Sequence, residues 1–303
     1  MTTRKPQEER VLMNTASVKP VPPKKGKPRP RFWRLALLVM LFLLLGVTIA
    51  LVIWLRPYAA SADAMAALHT TPGVTVTQND EMISFLPSTR ARVGLIFYPG
   101  AKVDPAAYAI TMHALAEDGY ATFILKMPLN IALLAENRAD DVIAAHPEIA
   151  VWAVGGHSLG GVAASDYAAN HGKIRGLLLF ASYPNGDLSH RSHLQVLSVS
   201  GSHDGLATPD KIAAAKHLLP VTTRYIVIQG GIHSYFGDYG VQDGDGQPTI
   251  TRSQARTQII AASLAFLNQL TAHTEKSTSG EWTRDPGENV YVCSGEASSS
   301  LAL

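Results

Sequence analysis

The hydrophobic pattern of the chain changes character twice. Leu35 to Leu55 is a run of 21 residues without a charge, LALLVMLFLLLGVTIALVIWL. At about 1.5 Å per residue it reaches roughly 31 Å, the thickness of a bilayer's hydrocarbon core. Phe32 and Trp33 flank one end, and Trp54 and Tyr58 the other, as amphipathic rings do at a membrane interface. The run is longer and more uniformly apolar than a buried core helix, and it predicts a transmembrane helix over 35–55. From Gly73 short apolar runs alternate with longer amphipathic ones. They predict strands at 73–78, 82–86, 92–98, 121–126, 149–154, 175–181, 194–200 and 223–229. Helices are expected at 105–118, 130–145, 159–171, 208–218 and 252–270. After the first two strands, strand and helix mostly alternate. That order predicts an α/β fold, a mainly parallel sheet with helices on both faces.

Five segments follow. Residues 1–34, rich in Lys and Pro, are expected as a disordered basic tail, and 35–55 as the transmembrane helix. A linker with a helical turn spans 56–72, and the α/β domain 73–272. Residues 273–303 turn polar and rich in Ser and Gly, a second disordered tail with Asn289–Cys293 as a stray strand.

Charge changes the picture in one respect. The net charge of the 303 residues is +2, but residues 1–34 carry +8 and the remainder −6. The basic residues therefore belong to the tail, and the folded part has no signature of nucleic-acid binding. Lys24, Lys25, Lys27, Arg29, Arg31 and Arg34 precede the apolar run, and only Arg56 follows it closely. The positive flank stays cytoplasmic, so the chain after Arg56 is expected outside the cell membrane. A cleaved signal peptide competes, with Ala60-Ser61-Ala62 as the small-residue site, but a signal's apolar region is usually about 7–15 residues. With 47% hydrophobic and 17% charged residues, the chain has enough apolar material for a sizeable core. Cys293 is the only cysteine, so no intrachain disulfide forms.

The chemistry concentrates at 149–164, IAVWAVGGHSLGGVAA. An apolar strand runs into Gly156-His157-Ser158-Leu159-Gly160 and on into a helix rich in small residues. This is G-x-S-x-G in the strand–turn–helix setting that gives the motif its meaning. The turn brings the flanking backbones together, so side chains at 156 and 160 would collide, and it raises Ser158 Oγ at the carboxyl edge of the sheet. The N–H of Leu159, at the start of the helix, can stabilise an oxyanion.

A serine hydroxyl needs a base. His157 lies inside the turn, where its side chain is expected to point away from Ser158, and His113 and His171 lie on helices. His233 follows strand 223–229 and lands on the same rim as Ser158. Asp204 ends strand 194–200 in Gly201-Ser202-His203-Asp204-Gly205 and is the orienting acid. Asp187, in a loop after the preceding strand, is the alternative, and Asp210 reads as a helix-start acid. The chain order Ser, Asp, His suits this architecture. The loop after the third strand, Phe97 to Pro105, supplies the second oxyanion donor, the N–H of Ala101. No metal-binding pattern is evident; His190 and His193 read as solvated loop residues.

The segments VGLIFYPGAKVDPAAYA, FILKMPLNIALL, WAVGGHSLGG, GSHDGLAT and GIHSYFGDYG together resemble a small, lid-less branch of the α/β-hydrolase superfamily, similar to dienelactone hydrolases. The resemblance covers about residues 73–270. It implies Ser158 as nucleophile, Asp204 as acid and His233 as base, without a cofactor. The superfamily often has His-Gly at the start of the oxyanion loop, where this chain has Pro99-Gly100.

These readings lead to a membrane-anchored serine hydrolase acting outside on carboxylic esters. The short connection between strands 175–181 and 194–200 leaves no room for a lid. That favours an open, shallow site and small or surface-presented esters. An acyltransferase on the same fold and a non-catalytic surface binding module are the alternatives. A binding module would not need Ser158, Asp204 and His233.

Overall fold

The computed structural model of the protein describes residues 31–278, 282–284 and 291–293. The chain divides into two compact units, Met1–Trp54 and Leu55–Leu303. The described part of the first is one helix, α1 (Arg31–Trp54). Its stretch Phe32–Ile53 is 22 residues long, and apolar and long enough to cross a membrane; a signal sequence passes the same test of length and composition. The basic tail lies outside the described residues as far as residue 30.

The second unit begins with the short helix α2 (Ala62–Ala66) and continues β1 (Val74–Gln78), β2 (Met82–Pro87), β3 (Val93–Tyr98), α3 (Ala109–Glu117), β4 (Ala121–Leu125), α4 (Arg138–Ala145), β5 (Val151–His157), α5 (Leu159–Asn170), β6 (Ile174–Phe180), β7 (Gln195–Gly201), α6 (Pro209–Ala214), β8 (Arg224–Ile228) and α7 (Arg252–Thr278). β1 to β8 form one sheet in the order β1-β2-β4-β3-β5-β6-β7-β8. β2 runs antiparallel to both β1 and β4, and every other pair is parallel. All eight expected strands are present, with ends shifted by a few residues at most. β9 (Trp282–Arg284) and β10 (Tyr291–Cys293) pair antiparallel, the latter inside the expected 289–293. The remainder of the predicted 273–303 tail after Thr278 lies outside the described residues.

The central strands are buried on both faces, so their sequences read as continuous apolar runs rather than alternating ones. Alternate side chains still divide between two cores. Leu95, Phe97, Ala153 and Phe180 pack with Met112 and Leu115 of α3 and Ile259 and Phe266 of α7. Ile96, Val154, Leu177 and Leu179 pack on the opposite face with Val142 of α4 and Ala163 and Ala164 of α5. Full burial of each large side chain contributes about 1.5–3 kcal/mol before entropy is counted. The two layers hold the strands in fixed register, so the residues just beyond their carboxyl ends share one rim.

The structure departs from the pattern in three places. Only Arg138–Ala145 of the expected helix 130–145 is α-helical, preceded by single 3₁₀ turns at Pro128–Asn130 and Ala132–Leu134. Leu129 and Asn130 both have φ 53°, which no right-handed helix admits. A tertiary contact uses the bend, because Lys102 N–H donates to Asn130 O at 2.8 Å. At its C-terminus α7 runs eight residues past the expected 270. Finally, the segment expected as a linker carries ordered pairing. Tyr58 N–H donates to Lys102 O at 2.6 Å, Asp104 N–H to Tyr58 O at 3.0 Å, and Ser61 N–H to Asp238 O at 2.7 Å. Ser61 then caps α2 through Oγ. Backbone pairing of this kind has no side-chain periodicity for a sequence reading to detect.

Candidate active site

β5 ends at His157, and Ser158 turns the chain sharply into α5 with φ 53° and ψ −124°. A non-glycine residue in such a conformation costs on the order of 1–3 kcal/mol, held here by the surrounding structure. The neighbouring glycines explain how it is held. A Cβ on Gly156 would lie 2.3 Å from the carbonyl of Gly160, and one on Gly160 would lie 2.1 Å from Tyr98 O. The turn is therefore pressed against itself and against the end of β3. Ser158 N–H donates to Phe180 O at 3.0 Å and Ser182 Oγ donates to Ser158 O at 2.7 Å, tying the turn to β6. Ser158 itself is half-buried at the rim.

Asp204 follows β7 and is 3% exposed. Its Oδ1 accepts from Leu206 N–H at 2.8 Å and Ala207 N–H at 2.7 Å. Its Oδ2 lies 2.9 Å from Nδ1 of His233, which is 1% exposed in the turn after β8. Against a carboxylate, which only accepts, Nδ1 must donate, and Nε2 then carries the lone pair. That Nε2 is buried and has no hydrogen-bond partner among the described residues. Gly230 at φ 73° turns the chain out of β8 into the histidine loop.

At the end of β3, Gly100 N–H donates to Tyr108 Oη at 2.9 Å. Lys102 N–H goes to Asn130 O and Val103 N–H to Gly100 O. Among the described residues, Ala101 is thus left with the uncommitted amide of this loop. Leu159, the first residue of α5, has the orphan N–H of a helix start.

The sequence pattern of the alpha/beta hydrolase family matches residues 94–257, a span reaching from β3 past the histidine loop. The chain belongs to the alpha/beta hydrolase family. Solved structures of that fold are similar to it at low identity. A predicted CIB-like hydrolase from Thermoplasma acidophilum has 13% identity and a TM-score of 0.50, over 65% of this chain and 100% of that one. A dienelactone hydrolase-like promiscuous phosphotriesterase from metagenomic libraries has 16% identity and 0.51, over 65% and 99%. Carboxyl esterase 2 from the mycorrhizal fungus Tuber melanosporum has 13% identity and 0.51, over 71% and 91%. No curated protein sequence matches the chain.

In this hydrolase Asp204 and His233 are brought together, and the rival acids are not. Asp187 is exposed; hydrogen bonding with the Ser189 side chain, then the Ser189 N–H donating to Oδ1, holds its carboxyl below the usual range. Asp210 is exposed in the first turn of α6. His113 and His171 bond the carbonyls of Ala67 and Tyr167 through Nδ1. His190 and His193 are exposed, and the described residues include no group of three or more His, Cys, Asp or Glu able to hold a metal ion.

His157 is fully buried, with its ring 4.6 Å from that of His233 and stacked on Phe236. Burial, then the neighbouring His233, pushes its pKa well below the ordinary value, so it stays neutral. Its Nδ1 lies 2.9 Å from Tyr108 Oη, whose pKa burial raises. A phenol between a Gly100 N–H and an imidazole links the loop of Ala101 to the serine turn. Nothing in the local sequence marks Tyr108 for this. The signal is only that 49 residues separate two side chains which the β3–β5 pairing brings together.

Proposed function

We propose that the protein is a membrane-anchored serine hydrolase that cleaves carboxylic esters outside the cell. Ser158 Oγ attacks the ester carbonyl while His233 Nε2 takes its proton. Asp204 holds Nδ1–H and stabilises the imidazolium. The N–H groups of Leu159 and Ala101 receive the developing oxyanion. His233 returns the proton to the leaving alcohol, and water releases the acyl group by the same steps in reverse roles. The observation that carries this reading is the buried His233–Asp204 pair. In support, the His233 ring lies 4.6 Å from that of His157, the residue before Ser158, and its Nε2 has no hydrogen-bond partner among the described residues. The family supports hydrolysis of a small-molecule substrate. The finer assignment to carboxylic esters rests on the site and on the short connection over 181–194, which inserts no lid between β6 and β7.

A fluorophosphonate probe should label the wild-type protein covalently. A series of p-nitrophenyl esters should then be cleaved, with short acyl chains favoured over long ones. Absence of labelling and of turnover across the series would remove the esterase reading.

The anchor reading rests on the apolar length of α1 and on the six basic residues before it. Protease added to intact cells should degrade the hydrolase domain and spare a tag at the N-terminus. Protection of both ends would refute an external hydrolase domain. A soluble form beginning near Asp63 would identify a cleaved signal instead.

A further inference from the structure

We infer that Asp245 is a positioning residue for His233, acting on its backbone as Asp204 acts on its ring. Asp245 lies in the long connection from β8 to α7 and is half-buried. Its Oδ1 accepts from the N–H of His233 itself at 2.9 Å and from Gly246 N–H at 2.7 Å, with a longer contact of 3.4 Å from Gly205 N–H. Its Oδ2 accepts from Ser234 N–H at 2.8 Å. One carboxylate thus gathers amides from the loop of His233 and from the loop that begins at Asp204. Hydrogen bonds to an ionised acceptor are shorter and stronger than neutral ones.

The surrounding backbone makes this a clamp. A Cβ on Gly246 would lie 1.7 Å from His203 O, and one on Gly205 would lie 2.5 Å from Gly244 O. His203 Nδ1 lies 2.9 Å from Gln247 O. Segments 203–205 and 244–247 are therefore in backbone contact with no room for side chains between them. Arg252, from the start of α7, donates to Ser234 O and Gly237 O and fastens the far side of the same histidine loop. Asp245 consequently fixes the backbone from which the His233 ring reaches the Asp204 carboxylate. The inference rests on the proposed role of His233.

The test uses the full-length protein in detergent. Asp245→Asn keeps the volume and one acceptor oxygen but turns an NH₂ toward Ser234 N–H, donor against donor. We expect kcat for a short-chain ester to fall about 10- to 100-fold with KM nearly unchanged, the scale of a displacement near 1 Å. The fluorophosphonate labelling rate should fall in parallel. The downfield proton resonance of the His233 Nδ1–H, identified by its loss in His233→Ala, should shift or broaden. Asp245→Ala should show a larger form of each effect. A lower melting temperature with unchanged kcat per folded molecule and an unchanged downfield resonance would overturn the inference. The resonance needs no turnover, so it still reports on Asp245 if the protein proves to hydrolyse no ester.

Discussion

Ser158→Ala is expected to abolish fluorophosphonate labelling and to lower ester turnover by about 10³- to 10⁶-fold. The upper figure is the loss seen when a triad serine is removed from a well-developed protease, and the lower allows for a less efficient starting enzyme. The structure separates this loss from any effect on folding. The Ser158 side chain caps nothing at the start of α5. The bonds that hold the turn, from Ser158 N–H to Phe180 O and from Ser182 Oγ to Ser158 O, use only its backbone. Alanine is as ill-suited to φ 53° as serine, so the strain persists and stability should change by less than about 1 kcal/mol. Ser158→Gly should be equally inactive but more stable by roughly 1 kcal/mol, because glycine accepts that conformation freely. Thermal melting followed by circular dichroism reads both. Turnover at the wild-type rate in Ser158→Ala would remove the nucleophile and with it the hydrolase mechanism.

Asp204→Asn should cost roughly 10²- to 10⁴-fold in kcat. The hydrogen bonds dictate how. The Oδ1 position already serves two amides, Leu206 and Ala207, and an amide oxygen is the group that can replace it. The asparagine NH₂ must then take the Oδ2 position, 2.9 Å from His233 Nδ1. A donor there forces Nδ1 to accept, moves the ring proton to Nε2, and leaves no lone pair to deprotonate Ser158. Asp187→Asn is the control. Its exposed carboxylate accepts from the local turn at Ser189, away from His233 and Asp204 in the described residues, so kcat should stay within about twofold. A reversed pair of results would transfer the acid role to the loop after β6. Two null results would leave a Ser-His dyad.

The parts of this hydrolase legible in its sequence are those that local rules govern. Strands buried on both faces must be apolar throughout, so β3 to β7 stand out as short apolar runs. A strand-to-helix turn this tight must be lined with glycine, so Ser158 is marked by Gly156 and Gly160. Asp204 and His233 are recognisable because a parallel sheet puts the residues after its strands on one rim, which narrows the choice among eleven histidines. The failures have a common cause. Residues 130–137 carry helical spacing but bend through Leu129 and Asn130 to meet Lys102. Tyr58 and Ser61 look like linker because their bonds to Lys102, Asp104 and Asp238 are made by the backbone.

The sequence by itself therefore determined the apolar helix, the strand and helix order, the serine turn and the Ser, Asp, His order, since each depends on residues close together in the chain or on a rule of sheet topology. Only the tertiary structure decided that Asp204 rather than Asp187 meets His233, that Gly100 N–H is spent on Tyr108, and that Asp245 gathers the amides of two loops. Those outcomes turn on hydrogen bonds of 2.8–2.9 Å between residues 8 to 29 positions apart. Such bonds depend on where a side chain ends to within a few tenths of an ångström. No pattern of residue types carries that information until the packed sheet has fixed the loops.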